Sequence, residues 1–293
     1  MKPAPFAYAA PDVVAEATEL LARHGAEARV LAGGQTLGPM LNMRIVSPAV
    51  VVDINGVKDF DGIRNLTSSV LTGATVRQRD ALESPDIAKK IPLLAAALHH
   101  VGHYQTRNRG TLCGSIAHAD PCAELPLVLL TLGGKVHLVS ARGRRTVAAA
   151  DFFIGTLTTA RRPDELIAAV EWPVLPDAAG DGFEEIGPRR SHFAMISCAV
   201  TVRVDPSGRV VALAIGLGGA ADCPVLVDTW AYLGVAPDTT WRSAVMDHVR
   251  SFLRYPDDLH ASGAYRRHVA GFLADRCLER ALAAAGGSKG PPQ

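Results

Sequence analysis

The sequence predicts an α+β fold in two domains, and three observations carry that prediction. The opening order is helix, strand, glycine-rich loop, strand, which is not the start of a doubly wound dinucleotide fold. Two glycine-rich stretches, Ala32–Leu37 and Arg109–Ser115, punctuate the first half. A segment rich in Pro, Asp, Ala and Gly, from Leu175 to Gly182, reads as a linker between the halves. At 293 residues the chain is long enough to bury two cores.

The elements follow from periodicity. Pro11-Asp12 opens a helix whose apolar residues, Val13, Ala17, Leu20 and Leu21, recur at helical spacing until His24-Gly25. Residues 28–32 and 49–54 read as buried strands, the second closed by the turn pair Asn55-Gly56. Ser69 to Gly73 is a short strand and Ile91 to His100 a helix. Ala123 to Leu132 has a helical pattern ended by Gly133-Gly134. Lys135–Ser140 and Arg145–Ala148 form a hairpin, and Glu165 to Pro173 is a strand with proline at its end. In the second half, residues 194–204 and 209–216 form a hairpin about Asp205-Pro206-Ser207-Gly208. Helices follow near 240–255 and 263–285. The Gly/Pro/Ser/Lys-rich tail has the composition of an unstructured segment.

Composition excludes several functions. A formal net charge of +1 gives no field for nucleic acid or an anionic membrane, and only 5% aromatic residues disfavour base stacking. Five cysteines, none in a CxxC pair, exclude a disulfide framework and a self-contained zinc or iron–sulfur site. His99, His100, His103 and His118 fit no standard metal-ligand spacing. Met1 to Ala10 lacks the apolar run of a signal peptide, and no stretch of about 18 apolar residues spans a membrane. A reducing cytoplasm is the expected compartment.

The glycine stretches carry the chemistry. Glycine lets backbone N–H groups approach an anion without a side chain between, and a run of aligned N–H dipoles holds a diphosphate without lysine or arginine. Thr36 adds a hydroxyl to the first stretch; Thr111 and Ser115 add two to the second. GxGxxG is absent, as is the acidic residue that closes a ribose site in dinucleotide folds.

Together, AGGQTLGPMLNMR and RNRGTLCGSIAHADPCAELP resemble the flavin-binding medium subunit of the molybdenum hydroxylases, the family that includes the carbon monoxide dehydrogenase flavoprotein and the central domain of xanthine dehydrogenase. The resemblance covers nearly the whole chain. It implies an FAD domain over residues 1–176, of the vanillyl-alcohol-oxidase (PCMH) type, with subdomains about 1–56 and 57–176. It implies a C-terminal domain over 177–287, a three-stranded sheet with helices, before a disordered tail at 288–293. The cofactor implied is non-covalent FAD. Molybdopterin and [2Fe–2S] clusters would sit in a large and a small partner subunit, in a dimer of heterotrimers, and electrons would pass through FAD to an external acceptor. No Fe–S or molybdopterin pattern occurs in this chain, and no side chain is expected as a catalytic acid or base.

By the same resemblance, Ala32, Gly33, Gly34, Gln35, Thr36 and Leu37 wrap the FAD pyrophosphate. Gly110, Thr111, Cys113, Gly114, Ser115 and Ala117 supply the second phosphate and ribityl contact. Cys113 stands where the family usually has glycine, and its thiol reads as buried packing. Asp120 and Glu124, four apart with Pro121 in a helix first turn, face one way, and Glu124 accepts from flavin hydroxyls. Val101 and Leu166 complete the contacts. Phe193, where carbon monoxide dehydrogenase relatives carry tyrosine, offers a ring to the isoalloxazine. Two other readings start from the same loops: a stand-alone flavin oxidase or dehydrogenase of the vanillyl-alcohol-oxidase type, and a non-catalytic nucleotide-binding scaffold.

Overall fold

The structure, a computed structural model, describes residues 2–189 and 191–286. The expected tail at 288–293 lies outside them. The first unit is a small parallel sheet. β1 (Ala7–Ala9), β2 (Ala28–Leu31) and β3 (Val50–Asp53) run in the order β1-β3-β2, with both neighbours parallel to β3. Three consecutive buried valines, Val50, Val51 and Val52, suit this central position, where both faces are covered. Helix α1 (Val14–His24) buries Ala17, Thr18 and Leu21 against the sheet and stops where Gly25 turns to φ +51°. Helix α2 (Leu37–Asn42) follows the first glycine stretch. The sequence reading has no counterpart of β1, whose Ala-Tyr-Ala is too short to show a period.

The second unit is a five-stranded antiparallel sheet packed on helices. Its first strands are β4 (Ile63–Asn65) and β5 (Ser69–Gly73). The short helices α3 (Gln78–Leu82), α4 (Pro85–Lys90), α5 (Pro92–Leu98), α6 (Tyr104–Arg109), α7 (Leu112–His118) and α8 (Glu124–Thr131) follow. The hairpin β6 (Lys135–Ser140) and β7 (Gly143–Ala148), helix α9 (Ala149–Phe152), the small pair β8 (Phe153–Gly155) and β9 (Thr158–Thr159), and β10 (Leu166–Pro173) complete the unit. The order β4-β5-β10-β6-β7 places β10 at the centre, and Trp172 is fully buried there with Nε1 donating to Thr72 Oγ1 at 2.9 Å.

The third unit is a meander, β11 (Ala179–Ile186), β12 (Ile196–Val204), β13 (Val210–Gly218) and β14 (Val225–Leu226), with α10 (Thr239–Ser251) and α11 (Gly263–Gly286). Three long strands form the body of this sheet, and β14 adds two residues at its edge. The linker reading of Leu175–Gly182 fails here, because residues 179–182 are the first half of β11. Gly180 and Gly182 are there for packing. A Cβ on Gly180 would lie 2.0 Å from Ala281 O, and one on Gly182 2.5 Å from Cys277 O, so α11 lies directly on the strand backbone. Helix α10 also ends earlier than its pattern implies. Tyr255 folds back to donate its hydroxyl to Val249 O at 2.7 Å instead of extending the helix.

Helix α8 joins the second and third units. All eight of its residues are buried, as expected of a helix covered on every side. It packs on α5 and α7 on one side and on β12 and β13 on the other. Gly216 permits the close approach, since a Cβ there would meet Thr131 Oγ1 at 2.1 Å.

Candidate flavin site

The first glycine stretch leaves β2 and enters α2. Among the described residues, the N–H groups of Gly33, Gly34, Gln35 and Thr36 donate to no protein acceptor. Four consecutive main-chain donors without a protein partner, at a half-buried to exposed turn, are ready-made for an anion. Gly34 reaches φ +70°, a conformation that glycine adopts at no steric cost. The Thr36 hydroxyl does not turn back to cap α2, so it too is unspent.

The second stretch is a helix start rather than an open loop, which corrects the sequence reading. Thr111 is the N-cap of α7, and Leu112, Cys113, Gly114 and Ser115 lie within the helix. Gly114 N–H donates to Thr111 Oγ1 at 3.0 Å, and Leu112 N–H donates to Val76 O at 3.2 Å. Cys113 faces the core at 3% exposure, its thiol directed at Thr72 O and Gly73 O; burial pushes that thiol up to about 12. The Leu166 side chain is likewise enclosed, at 2% exposure beside β6. From these two positions only main-chain atoms are available to a ligand. Ser115 is half-buried and Ala117 exposed on the same short helix.

The two stretches meet. A Cβ on Gly33 would fall 2.4 Å from Arg109 O and 2.7 Å from Gly110 Cα, so the backbones touch where any side chain would separate them. The contact is held by residues to which the sequence assigns no part in the site, Asn55 among them reading only as turn chemistry. Asn55 and Arg77 hydrogen-bond across it, while Gln78, on the side of the second stretch, donates its N–H to Gly110 O at 2.8 Å. No motif marks them, because their partners are far away in sequence.

A second cluster gathers at the start of α8. Glu124 is 7% exposed, and burial together with the nearby Glu185 carboxylate lifts it to about 8. Glu185, on β11, accepts from His100 Nδ1 at 3.2 Å, while its Oε2 is buried without a partner. The hydrogen bond to Glu185 raises the half-buried His100, and the buried Val101 follows it in the chain. Asp120 departs from expectation. It lies in the turn before α8 and accepts the Cys122 N–H at 2.8 Å, so Pro121 is outside the helix and the two carboxylates do not share a helical face. Burial lowers His118, which favours a neutral imidazole. Phe193 stands 64% exposed in the β11–β12 connection. Among the described residues no group of three or more His, Cys, Asp or Glu is placed to hold a metal, and no helix is long and apolar enough to cross a membrane.

This arrangement agrees with comparisons to known proteins. The family described as the FAD binding domain in molybdopterin dehydrogenase matches residues 4–175, and the CO dehydrogenase flavoprotein C-terminal domain matches 181–281. This chain belongs to the FAD-binding medium subunits of the molybdenum hydroxylases. It is 34% identical to the nicotine 6-hydroxylase medium subunit of Paenarthrobacter nicotinovorans, over 96% of this chain and 99% of the relative. It is 32% identical to the carbon monoxide dehydrogenase medium chain of Hydrogenophaga pseudoflava, over 97% and 99%. The solved carbon monoxide dehydrogenase from that organism superposes with a TM-score of 0.93 over 97% of this chain and 99% of the other. Quinoline 2-oxidoreductase from Pseudomonas putida 86 gives 0.92 at 32% identity, over 97% and 99%. The α+β architecture and the FAD cofactor expected of a medium subunit therefore hold for this one. The residues present fit that cofactor: Gly33 lets the two stretches meet backbone to backbone where a Cβ would strike Arg109 O, and the free donors beside it match a diphosphate.

Proposed function

We propose that this medium subunit holds FAD non-covalently and relays electrons between the [2Fe–2S] clusters of a small subunit and an external acceptor. A large molybdopterin subunit would complete each heterotrimer, and two heterotrimers would pair in the cytoplasm. The chain would divide at 176/177 into its FAD domain and C-terminal domain. The observation that carries the reading is the run of free N–H groups from Gly33 to Thr36, set against the backbone of Arg109 and Gly110. FAD, when bound, supplies the ability to take electrons one at a time and to give up two.

The chain's own residues bind, orient and shield. Main-chain donors over Ala32–Leu37 and the Thr36 hydroxyl grip the diphosphate, without a desolvated cation. Gly110, Thr111, Gly114, Ser115 and Ala117 form the facing wall, with main-chain contacts from Cys113 and Leu166. Asp120 and Glu124 address the flavin hydroxyls. Burial lifts Glu124 to about 8, which favours its protonated form, and in that form the group can donate as well as accept. Val101 and the Phe193 ring supply apolar surface, and the exposure of Phe193 leaves the ring room to settle on a planar partner.

The test is direct. Purified protein is expected to be yellow, to release FAD on denaturation, and to recover an iron–sulfur subunit and a large molybdopterin subunit from its host. A colourless protein that takes up no FAD in titration overturns the reading. A fully active protein purified alone would favour the stand-alone oxidase, and stable nucleotide binding without flavin absorbance the scaffold.

A further inference from the structure

Two main-chain carbonyl oxygens, one from each glycine stretch, lie beside their meeting point. Ala32 O precedes the free donors of the first stretch, and Arg109 O is the atom against which Gly33 packs. Two side chains tie them together. Asn55 Nδ2 donates to Ala32 O at 2.9 Å, Arg77 Nη2 donates to Asn55 Oδ1 at 2.6 Å, and Arg77 Nη1 donates to Arg109 O at 2.6 Å. Asp53 orients the middle link by accepting from both Asn55 Nδ2, at 2.5 Å, and Asn55 N–H, at 2.9 Å. Tyr8 Oη in turn donates to Asp53 Oδ2 at 2.7 Å. These partners fix which way the Asn55 amide points: its nitrogen faces two oxygens and its oxygen a guanidinium.

We infer that Asn55 and Arg77 are positioning residues that hold the two glycine stretches at the separation a diphosphate needs. The inference rests on the FAD reading above. Two physical arguments support it. The stretches lie on separate units, the parallel sheet and the five-stranded sheet, and their backbones touch at residues without side chains. The contact sets how close the stretches come but supplies no bond to keep them together, so side chains from elsewhere must stop them parting, and a planar, multidentate guanidinium does so with little freedom. Moreover, a carbonyl oxygen facing an anion site opposes the anion. The charge-assisted bond from Arg77 engages Arg109 O, so that oxygen opposes an anion less than it would if free.

The experiment compares wild-type protein with Arg77→Met, Arg77→Lys, Asn55→Ala and the Arg77→Met/Asn55→Ala double variant. The readouts are the FAD dissociation constant, the visible circular dichroism of bound FAD, and the melting temperature of the apoprotein. Arg77→Met and Asn55→Ala are each expected to weaken FAD about tenfold or more and to alter the dichroism. The double variant should be no worse than about twofold beyond the weaker-binding single variant, because both break one chain of contacts. Arg77→Lys keeps the charge but spans one acceptor, so it should stay within about threefold of Arg77→Met. The apoprotein should melt within a few degrees of wild type throughout. Wild-type affinity and dichroism in Arg77→Met, or losses that only track a falling melting temperature, overturn the inference while the flavin reading stands. Failure of the wild-type protein itself to bind FAD overturns that reading instead.

Discussion

Along Gly33–Thr36 the main-chain donors have no acceptor among the described residues, whereas along Thr111–Ser115 three of the five are engaged, Leu112 by Val76 O, Gly114 by the Thr111 hydroxyl and Ser115 by Thr111 O. The same residue types thus serve opposite ends. In the first stretch Gly33 lets two backbones touch, and the N–H groups beside it stay unspent. In the second it tightens a helix start that builds a wall. Glycine and hydroxyl content alone does not separate the two; what separates them is whether a capping acceptor lies within reach.

Replacement of Gly33 by valine gives the largest expected effect. Its Cβ would collide with Arg109 O at 2.4 Å, which forces the two stretches apart. FAD affinity should fall at least about a hundredfold in titration, a loss of about 3 kcal/mol. Gly114→Val should cost about tenfold, because its Cβ meets the Thr111 hydroxyl, which can swing aside. Equal losses in the two variants would erase the contrast.

A third glycine context sharpens it. Gly180 carries no ligand role and only admits α11, with Ala281 O 2.0 Å from the position of a Cβ. Gly180→Val should destabilise the C-terminal unit by about 3 kcal/mol or more in denaturant unfolding. FAD affinity of the fraction that stays folded should remain near wild type.

Glu124 sets a pH dependence at the wall. Its folded pKa, about 8, lies above the ordinary carboxylate range, so the folded apoprotein holds a proton that the unfolded chain releases. The contribution of Glu124 is then most favourable at low pH and declines as pH rises towards and through 8. Between pH 5 and 8.5 the apoprotein should lose roughly 1–4 kcal/mol on this account. Glu124→Gln should flatten that decline in thermal melts, and an unchanged slope would remove Glu124 as its source.

The smallest effect is at Cys113. Its thiol, pushed up to about 12 by burial, should resist alkylation in the native protein at pH 8 and react after denaturation. Cys113→Ala should cost about 1 kcal/mol through lost packing and leave FAD affinity within twofold. Rapid native labelling would place that side chain at the site rather than in the core.

Much of the fold was legible where one segment's own pattern decides its structure. Ser69–Gly73 and Lys135–Ser140 are strands with the limits their patterns imply, and Asp205-Pro206-Ser207-Gly208 turns as its chemistry requires, with Asp205 Oδ1 accepting from Ser207 and Arg209. Legibility ended where a distant backbone decides. Gly180 and Gly182 resemble a linker until α11 is laid on them. Thr111–Ser115 resembles a loop until the Thr111 cap is seen. The site divides in the same way. Both glycine stretches announce themselves, whereas Arg77 carries no pattern and Asn55 reads only as turn chemistry, and both gain meaning only by spanning carbonyls at 32 and 109. The partners of Glu124, His100 and Glu185, come from α5's end and β11, which no local pattern connects.

Amide hydrogen exchange across residues 33–36, with and without FAD, tests the central claim most directly. In the apoprotein these four donors should exchange within seconds, as unpaired main-chain groups do. Addition of FAD should slow them by at least about a hundredfold, with a much smaller change at Leu112, Gly114 and Ser115, whose N–H groups already have acceptors. Slow exchange in the apoprotein, or fast exchange that persists with FAD bound, would contradict a diphosphate held by that run of donors.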